Sequence, residues 1–371
     1  MRALLFVCLA SSAFAATRQP IVAIFPPAGS DPSLNQLALL MQARASEIVE
    51  QTGKVNELHI KQTLRALDEE GLSADVQNLG ALMIAVGVDR GVTFSLSADG
   101  DKITLTGAQS GGKNLTNFSE KLDGKWDVAL TRGSEVLAKQ LLGSTPLPKK
   151  LTAQPASAND EALHKLGNCY AAVLKQPLAV DTPAIVDTAE FTKAVDDCDA
   201  ALKLDPALRF AHAVNALGQA ILGEDAAAAK SLAQLGDSDD VMEIYTLARF
   251  WLLTRYQSNE AGLAYLQQVL KKHPGELVAR AFLGDTQFAL ADWAGAEKTW
   301  REYTALAPSS SWAEGRLSKA LARQNKHTEA IAAAKRGFAL SPTSPEARLE
   351  LGSRLMDAGN LQEAEDTLTR T

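Results

Sequence analysis

Apolar residues over the first part of the chain change their spacing several times, and each change predicts a different element. Ile21 to Phe25 is a continuous apolar run that ends at two prolines, which is typical of a buried strand. From Leu34 to Gln51 the apolar residues recur at helical spacing, and Gly53 then favours a helix end. The same reasoning predicts a strand over residues 55–60, a helix over 61–70 and a helix near 76–86.

Beyond residue 91 the apolar spacing changes to two, which indicates strands with one buried face. Asp99-Gly100 separates two such runs and favours a hairpin turn between them. A third strand near 114–121 and a helix over 126–142 complete a small α/β domain over residues 20–143. The alternating apolar residues are Val92, Phe94, Leu96, Ile103 and Leu105.

The second part of the chain repeats itself every 34 residues. Pro274, Pro308 and Pro342 are 34 apart, and Pro206 lies two periods before the first of them. Leucines keep the same step, as do alanines, which are small enough to let two helices approach closely. These positions are Leu283, Leu317 and Leu351, and Ala296, Ala330 and Ala364.

This period, with the Leu283-Gly284 and Leu351-Gly352 pairs, resembles the tetratricopeptide repeat (TPR). The resemblance covers residues 160–371 and implies an all-α superhelical solenoid of about six helix pairs. A first unit near Leu163 carries about 15 extra residues between 175 and 188, judged against the repeat pattern. The units that follow are predicted at 209–242, 243–276, 277–310, 311–344 and from 345, the last being incomplete at Thr371.

The first domain is similar to the N-terminal α/β domain of TolB-type periplasmic proteins. The matching segments are Val22-Ala23-Ile24-Phe25-Pro26, Leu79-Gly80-Ala81-Leu82 leading to Gly87-Val88-Asp89, and the Gly111-Gly112-Lys113 turn. The resemblance implies a non-catalytic interaction module. Residues 144–159, rich in Pro, Ser, Thr and Lys, are predicted to be a polar linker. The expected fold is therefore an α/β domain followed by an α-helical solenoid.

Residues 1–15 have the features of a secretory signal peptide. Arg2 precedes a short apolar run that ends in Ala13-Phe14-Ala15. We therefore expect an exported protein, in the bacterial periplasm, whose mature chain begins near Ala16. Later apolar runs fall short of the ~18 residues that cross a bilayer, so no transmembrane span is expected.

Charge divides the chain into two parts. The whole sequence has 37 basic and 44 acidic residues, a net of −7. Residues 16–158 hold 14 basic and 15 acidic residues (net −1), whereas residues 159–371 hold 22 and 29 (net −7). An acidic array repels phosphates, which argues against nucleic acid and favours neutral, basic or apolar protein partners.

Residues that could carry chemistry are sparse. Residues 107–114 nearly match a phosphate-binding loop, but Asn114 replaces the hydroxyl residue and a strand follows, so a hairpin turn is expected. The five histidines lie on different elements without carboxylates or cysteines at metal-ligand spacing. Hydrolase and metalloprotease motifs are absent from the sequence. We expect no catalytic residue, no cofactor and no metal, and hence not an enzyme.

In tetratricopeptide arrays the first helix of each unit lines the concave face, at about positions 2, 5, 9 and 12. An extended or helical protein segment is the expected ligand of this partly apolar groove. The alternative, that its aromatic residues pack between repeats, stays open. The predicted groove residues are Ile244, Leu247, Trp251, Phe288, Trp312, Lys319 and Arg323.

The last unit stops at position 27 of its 34, without a helix to cover its apolar edge. Leu355, Leu361 and Leu368 are therefore expected to dock on a partner, on a second copy or on the N-terminal domain. Homo-oligomers through this end are one form that such docking would take.

Cys169 and Cys198 remain after removal of the signal peptide. Aligned to the repeat, they face each other within the first helix pair. An oxidising compartment favours a disulfide, which would close a loop of about 30 residues. The alternative is two small buried thiols that pack as hydrophobic residues.

Two functions fit these features. The first is a non-catalytic exported scaffold that binds envelope proteins through the solenoid and the α/β domain. The second is a small-molecule-binding or enzyme-regulating periplasmic protein that uses the α/β domain. The repeat array favours the first.

Overall fold

The structure is a computed structural model. It describes residues 19–58, 60, 63, 64, 67, 71–111, 114–149, 151, 153–176, 188–236 and 243–369. The predicted signal peptide, the predicted helix over 61–70 and the predicted insertion lie wholly or largely outside these residues. Within them, no helix is long and apolar enough to cross a membrane.

The α/β domain is built from five described strands and three α-helices. Two short 3-10 turns, Pro32–Leu34 and Val76–Asn78, lead into α1 and α2. The strands are β1 (Ile21–Ile24), β2 (Asn56–Glu57), β3 (Arg90–Asp99), β4 (Lys102–Ser110) and β5 (Leu115–Asp123), and the helices are α1 (Asn35–Glu50), α2 (Leu79–Val86) and α3 (Trp126–Leu142).

The strands form one mixed sheet in the order β2-β1-β3-β4-β5. β1 runs parallel to both of its neighbours, whereas β3, β4 and β5 form antiparallel pairs. Asp99 pairs with Lys102 at the end of the first hairpin, and Gly100 supplies the positive φ of 58° that the tight turn requires. This hairpin confirms the alternating pattern read from the sequence.

Both faces of β1 are buried, each in a different apolar cluster. Val22 and Ile24 lie in the cluster that contains α1 and α3, whereas Ile21, Ala23 and Phe25 lie with α2. Gly91, the β3 residue opposite Ala23, lets α2 lie close, because an added Cβ would sit 2.8 Å from Met83 Cγ. A strand covered on both faces explains why its sequence is continuously apolar rather than alternating.

From Asp160 onwards the described chain consists of helices joined by short turns. First helices of successive units begin at residues 209, 243, 277, 311 and 345, which confirms the 34-residue helical repeat. The helices are α4 (Asp160–Lys175), α5 (Thr188–Leu204), α6 (Arg209–Leu222), α7 (Asp225–Ala233), α8 (Glu243–Tyr256), α9 (Asn259–Lys272), α10 (Leu277–Ala289), α11 (Trp293–Leu306), α12 (Ser311–Ala322), α13 (His327–Leu340), α14 (Pro345–Asp357) and α15 (Leu361–Thr369).

The repeated residues occupy equivalent places in the packing. Ala296, Ala330 and Ala364 are at most 1% exposed, so adjacent helices contact each other closely at these points. Each repeated proline stands two residues beyond the end of a helix, where its missing N–H and fixed φ prevent the helix from continuing. The 34-residue period of the sequence thus corresponds to helix contacts and helix ends that recur in successive units.

Cys169 of α4 and Cys198 of α5 form a disulfide, with their Cα atoms 5.5 Å apart. Both side chains are fully buried. The bond joins the two helices of the first pair across the segment that the sequence predicts to be inserted.

Candidate partner-binding surface

Two of the predicted groove residues lie in the protein interior. Ile244 and Leu247 of α8 are 4% and 2% exposed, and they belong to the apolar cluster that extends from α1 through the first helix pairs. At this depth they contact neighbouring helices rather than solvent. The groove drawn from the sequence must therefore be corrected: it does not extend over α8 in this structure.

The three predicted aromatic residues are half-buried. Trp251 packs against two apolar clusters at once. The Phe288 ring lies 4.9 Å from the Trp293 ring, and the Trp312 ring lies 5.0 Å from that of Trp300. These edge-on contacts between rings of neighbouring helices stabilise the array. Packing against neighbouring residues of the array, the alternative that the sequence left open, therefore buries much of the surface of each aromatic ring.

Both predicted basic residues already interact with other residues of the array. Lys319 Nζ lies 3.6 Å from Glu346 Oε1 of the next unit. The Arg323 guanidinium lies over the Trp293 ring, 5.5 Å from its centroid. Neither cation forms the kind of clamp that holds a free carboxylate.

The α/β domain packs against several repeat units. α2 packs against α12, and its buried side shares one apolar cluster with residues of α10, α11 and α12. Gly87 ends α2 with a φ of 75°, and an added Cβ there would lie 2.6 Å from Ser310 N. The backbone of the domain thus touches the backbone of the array. The members of the shared cluster include Leu79, Leu82, Met83, Val86, Leu277, Ala281, Trp300, Tyr303 and Leu317.

A second contact repeats this arrangement one unit earlier. A side chain at Gly275 would collide with Asn56 of β2. Gly275 and Ser309 hold equivalent positions in consecutive units, because they are 34 residues apart. The domain therefore contacts two successive turns that connect one unit of the array to the next.

The first helix pair is joined to the domain by polar and aromatic contacts. The Asp160 carboxylate of α4 accepts hydrogen bonds from Trp126 N (3.2 Å) and Asp127 N (3.0 Å), so it caps the first turn of α3. The Trp126 and His164 rings are 3.5 Å apart. Burial lowers the pKa of His164, and the charge of Asp160 partly opposes this shift.

The linker is also fixed to the domain. Arg44 of α1 donates to the carbonyl oxygens of Ala153 and Pro155, and its side chain is buried. Glu47 accepts a hydrogen bond from the Gln154 N–H. Described residues of the segment 144–159 thus pack against α1.

Three carboxylates come together where β2 and the end of α1 approach the start of α10. Burial raises the pKa of Glu57 to about 8 and that of Glu276 to about 7. Burial and the neighbouring carboxylates raise the pKa of Glu50 as well. Ser46 donates to Glu57 at 2.8 Å, and Glu276 accepts from Val278 N at 3.1 Å. The cluster therefore lies at the junction of domain and array, and its groups favour the protonated form there.

Apolar side chains remain exposed at the other end of the array. Leu349 and Met356 of α14 are 60% and 46% exposed, and Ile84 of α2 is 57% exposed. Leu349 and Met356 stand at inner-face positions 5 and 12 of their unit, whereas Ile84 belongs to the α/β domain. Of the three residues predicted to dock at the end of the chain, Leu361 (67%) and Leu368 (37%) are exposed, whereas Leu355 is fully buried inside the last helix pair.

The described part of the chain has no group of three or more His, Cys, Asp or Glu residues that could hold a metal ion. Of the segment 107–114, which resembles a phosphate-binding loop in sequence, residues 107–110 belong to strand β4, and the antiparallel strand β5 begins at Leu115. The segment therefore lacks the helix N-terminus that such a loop uses.

The contact between the domain and the array is the feature that sequence reasoning missed. One signal was available: α2 is apolar on nearly every side, Leu79-Gly80-Ala81-Leu82-Met83-Ile84-Ala85-Val86. A helix with this composition needs burial on more than the one face that a sheet covers.

Among the comparisons with known proteins, the family match agrees with the repeat. The tetratricopeptide repeat family matches residues 321–371. The solved structure of MamA MSR-1 is 18% identical with a TM-score of 0.35, and the match covers 43% of this chain and 92% of that one. The structure of MamA AMB-1 is 19% identical with a TM-score of 0.36, and the match covers 42% of this chain and 92% of that one. A structure of MamA from Desulfovibrio magneticus RS-1, from residue 41 to its end, is 13% identical with a TM-score of 0.34. That match covers 57% of this chain and 94% of the other. No curated protein matches the chain.

Proposed function

We propose that this protein is a non-catalytic scaffold of the cell envelope that binds other proteins through its helical repeats. The observation that supports this most directly is the exposed apolar inner face of α14, where Leu349 and Met356 face solvent. Exposed apolar residues grouped on one face are typical of interaction surfaces. The partner is expected to be a neutral, basic or apolar protein segment.

Export is part of the proposal. The signal-like residues 1–15 support it, and so does the disulfide between Cys169 and Cys198, because disulfides persist mainly in oxidising compartments. The similarity of the α/β domain to TolB-type domains favours the bacterial periplasm. In this proposal the α/β domain also packs against the array, through α2 and α12 and at two turns between units.

Photo-crosslinking in the producing bacterium tests the proposal. A photoreactive residue at position 349 is expected to capture an exported protein, identified by mass spectrometry. The matched control is position 332, an exposed residue on the second helix of the preceding unit. Fractionation of the same cells should recover the protein with the periplasm. Equal capture at both positions, or recovery with the cytoplasm, would contradict the proposal.

A further inference from the structure

Strand β5 lies at one edge of the sheet, next to β4. It pairs with β4 over all nine of its residues, in a register without a bulge. The opposite edge strand, β2, is only two residues long, and its residue Asn56 contacts the array at Gly275. β5 is therefore the long edge of this sheet, and no further strand covers it in the described residues.

The alternation of an antiparallel ladder shows which backbone groups of β5 point outward. Asp99 and Lys102 close a two-residue turn, so they form a hydrogen-bonded pair. On the other side of β3, the Phe25 N–H donates to Val92 O. Counting in steps of two from these pairs, the even-numbered residues of β5 bond to β4. The odd-numbered residues direct their N–H and C=O groups to the free edge: Leu115, Asn117, Ser119, Lys121 and Asp123.

This edge has few of the features that keep edge strands from pairing. The first five residues of β5, 115–119, carry no charge, and the strand contains neither a proline nor a bulge. Beside it, Val128 of α3 is 44% exposed. Val128 lies one turn before Arg132, which donates to Glu120 at 3.0 Å, so this side of α3 borders the edge. Such an edge is a template for another strand.

A second copy of β5 is a strand whose fit can be examined residue by residue. Two copies related by a twofold axis pair antiparallel, and their outward groups meet only when the axis passes through a residue. An axis at Glu120 or Lys121 brings two like charges together. An axis at Ser119 puts Phe118 opposite Glu120, an apolar residue opposite a charge. An axis at Asn117 pairs only five residues of each strand, and axes nearer the ends pair fewer.

An axis at Phe118 avoids these conflicts. It pairs seven residues of each strand, 115–121, and Asn117 and Ser119 then exchange backbone hydrogen bonds. The two Phe118 residues stand opposite each other at a non-hydrogen-bonded site, where side chains approach most closely. Leu115 stands opposite Lys121, and like charges do not meet within these residues.

We infer that two copies of this protein associate through β5 in this register, and that their sheets join into one across the twofold axis. Charge and apolar matching select this register, and Val128 adds an apolar residue beside the seam. The inference concerns a surface apart from the array, so it does not depend on the proposed scaffold function. Its consequence is a particle with two arrays, which would bind a partner that has two binding segments more tightly than one array can.

Sedimentation velocity of the full-length mature protein tests this inference. A pair of short strands buries less area than a standard interface of about 1,600 Å², so the dimer is expected to be weak. Protein concentrations from about 1 to about 200 μM should include its dissociation constant. The sedimentation coefficient should rise over this range from that of a monomer towards that of a dimer. A monomer at every concentration would overturn the inference.

Proline at position 119 tests the outward backbone group. Ser119→Pro removes an N–H from the free edge of each copy and leaves the hydrogen bonds to β4 in place. Its dissociation constant should be at least about tenfold higher than that of Ser119→Ala, which keeps the N–H. Circular dichroism and thermal unfolding check that both variants fold. Equal dissociation constants for the two folded variants would contradict pairing through this edge.

A charge exchange tests the register, and it decides the question if the proline variant does not fold. Leu115→Lys puts a lysine opposite Lys121 of the other copy, twice in each dimer, and should raise the dissociation constant at least about threefold. Adding Lys121→Glu turns each like-charge pair into an opposite-charge pair and should restore the affinity. The matched control is Ile84→Lys, at a residue of α2 that is 57% exposed, which should leave the affinity unchanged. Failure of the double variant to recover would contradict the register.

Two further results would overturn the inference. One is a dimer whose dissociation constant responds to neither Ser119→Pro nor Leu115→Lys, since the copies would then meet at another surface. The other is a chain that stays monomeric while a photoreactive residue at position 119 captures a different exported protein. In that case the edge would bind a strand of another protein, and the scaffold function would still stand.

Discussion

Leu247 and Leu349 stand at the same position of two repeat units, the fifth residue of the first helix. Leu247 is 2% exposed, whereas Leu349 is 60% exposed. Position 2 shows a smaller contrast of the same kind, because Ile244 is buried and Glu346 is a partly exposed charged residue. The repeat places equivalent residues at equivalent points of the helix, yet it does not decide whether they face solvent.

The two regions differ in the elements that pack against the first helix of the unit. α8 packs against α6, α7 and α9, within the apolar cluster that extends from α1 through the first helix pairs, whereas α12 also contacts α2 of the α/β domain. In the described part of the chain, α14 packs against α12, α13 and α15 and has no contact of comparable extent with the α/β domain. Packing against neighbouring helices therefore buries Leu247, whereas Leu349 at the equivalent position stays exposed.

The largest expected effect is a difference in stability between two matched truncations. Leu247→Ala should lower the free energy of unfolding by about 2–5 kcal/mol, because it leaves a cavity in a packed cluster. Leu349→Ala should change it by no more than about 0.5 kcal/mol, because that side chain is exposed. Urea denaturation followed by circular dichroism measures both. Equal losses in the free energy of unfolding would show that the two side chains do not differ in burial.

Removing the disulfide should affect the covered end of the array. The bond closes a loop between residues 29 apart, so its loss should cost about 3–4 kcal/mol in the chain-entropy model. The double variant Cys169→Ala/Cys198→Ala removes the bond without leaving a free thiol. Hydrogen exchange should then show faster exchange in α4 and α5 but not in α14. Uniform acceleration along the whole array would contradict this regional effect.

The sequence predicted the two-part fold because each part has a strong period of its own. Alternation around Asp99-Gly100 specified the hairpin, and the 34-residue step specified where the first helices begin. β2 is shorter than the predicted strand over 55–60, since its pairing with β1 extends over only two residues. Local spacing predicts that a strand forms, but not over how many residues the neighbouring strand pairs with it.

The candidate site was predicted less well, for a physical reason. Repeat alignment identifies the side of a helix, and that side is correct for Leu349 and for Leu247 alike. Which residues of the array are buried depends on tertiary packing, including contacts between residues far apart in the chain, such as those of Asn56 with Gly275 and of Gly87 with Ser310. Such contacts leave no period in the sequence.

The carboxylate cluster makes the covered region sensitive to pH. In the native state burial raises the pKa of Glu57 to about 8 and of Glu276 to about 7, from 4.5. Stability from these groups is therefore complete below about pH 4.5, and it is lost as the pH rises towards 8. The stability of the wild type relative to Glu57→Gln should thus fall by an amount on the order of 1 kcal/mol or more between pH 5 and 8.

Thermal unfolding at several pH values measures this difference. The matched control is Glu365→Gln, since Glu365 is an exposed carboxylate of α15 in the uncovered region. Its difference from the wild type should stay constant over the same range. A Glu57→Gln difference that is equally constant would show that the cluster does not hold its protons in the native state.

The smallest expected effect concerns the cap that the array provides to the domain. Asp160 of α4 accepts from the first two N–H groups of α3, so Asp160→Ala should cost about 1 kcal/mol of stability. Asp160→Asn retains an acceptor oxygen and should recover most of that loss. The matched control is Asp75→Ala, because Asp75 caps a turn within the domain, where it accepts from Gln77 N and Asn78 N. Both alanine variants should lose similar stability, but only Asp160→Ala should loosen the domain from the array and increase proteolysis within residues 144–159. Equal cleavage in the two variants would mean that this cap stabilises α3 without helping to hold the domain on the repeats.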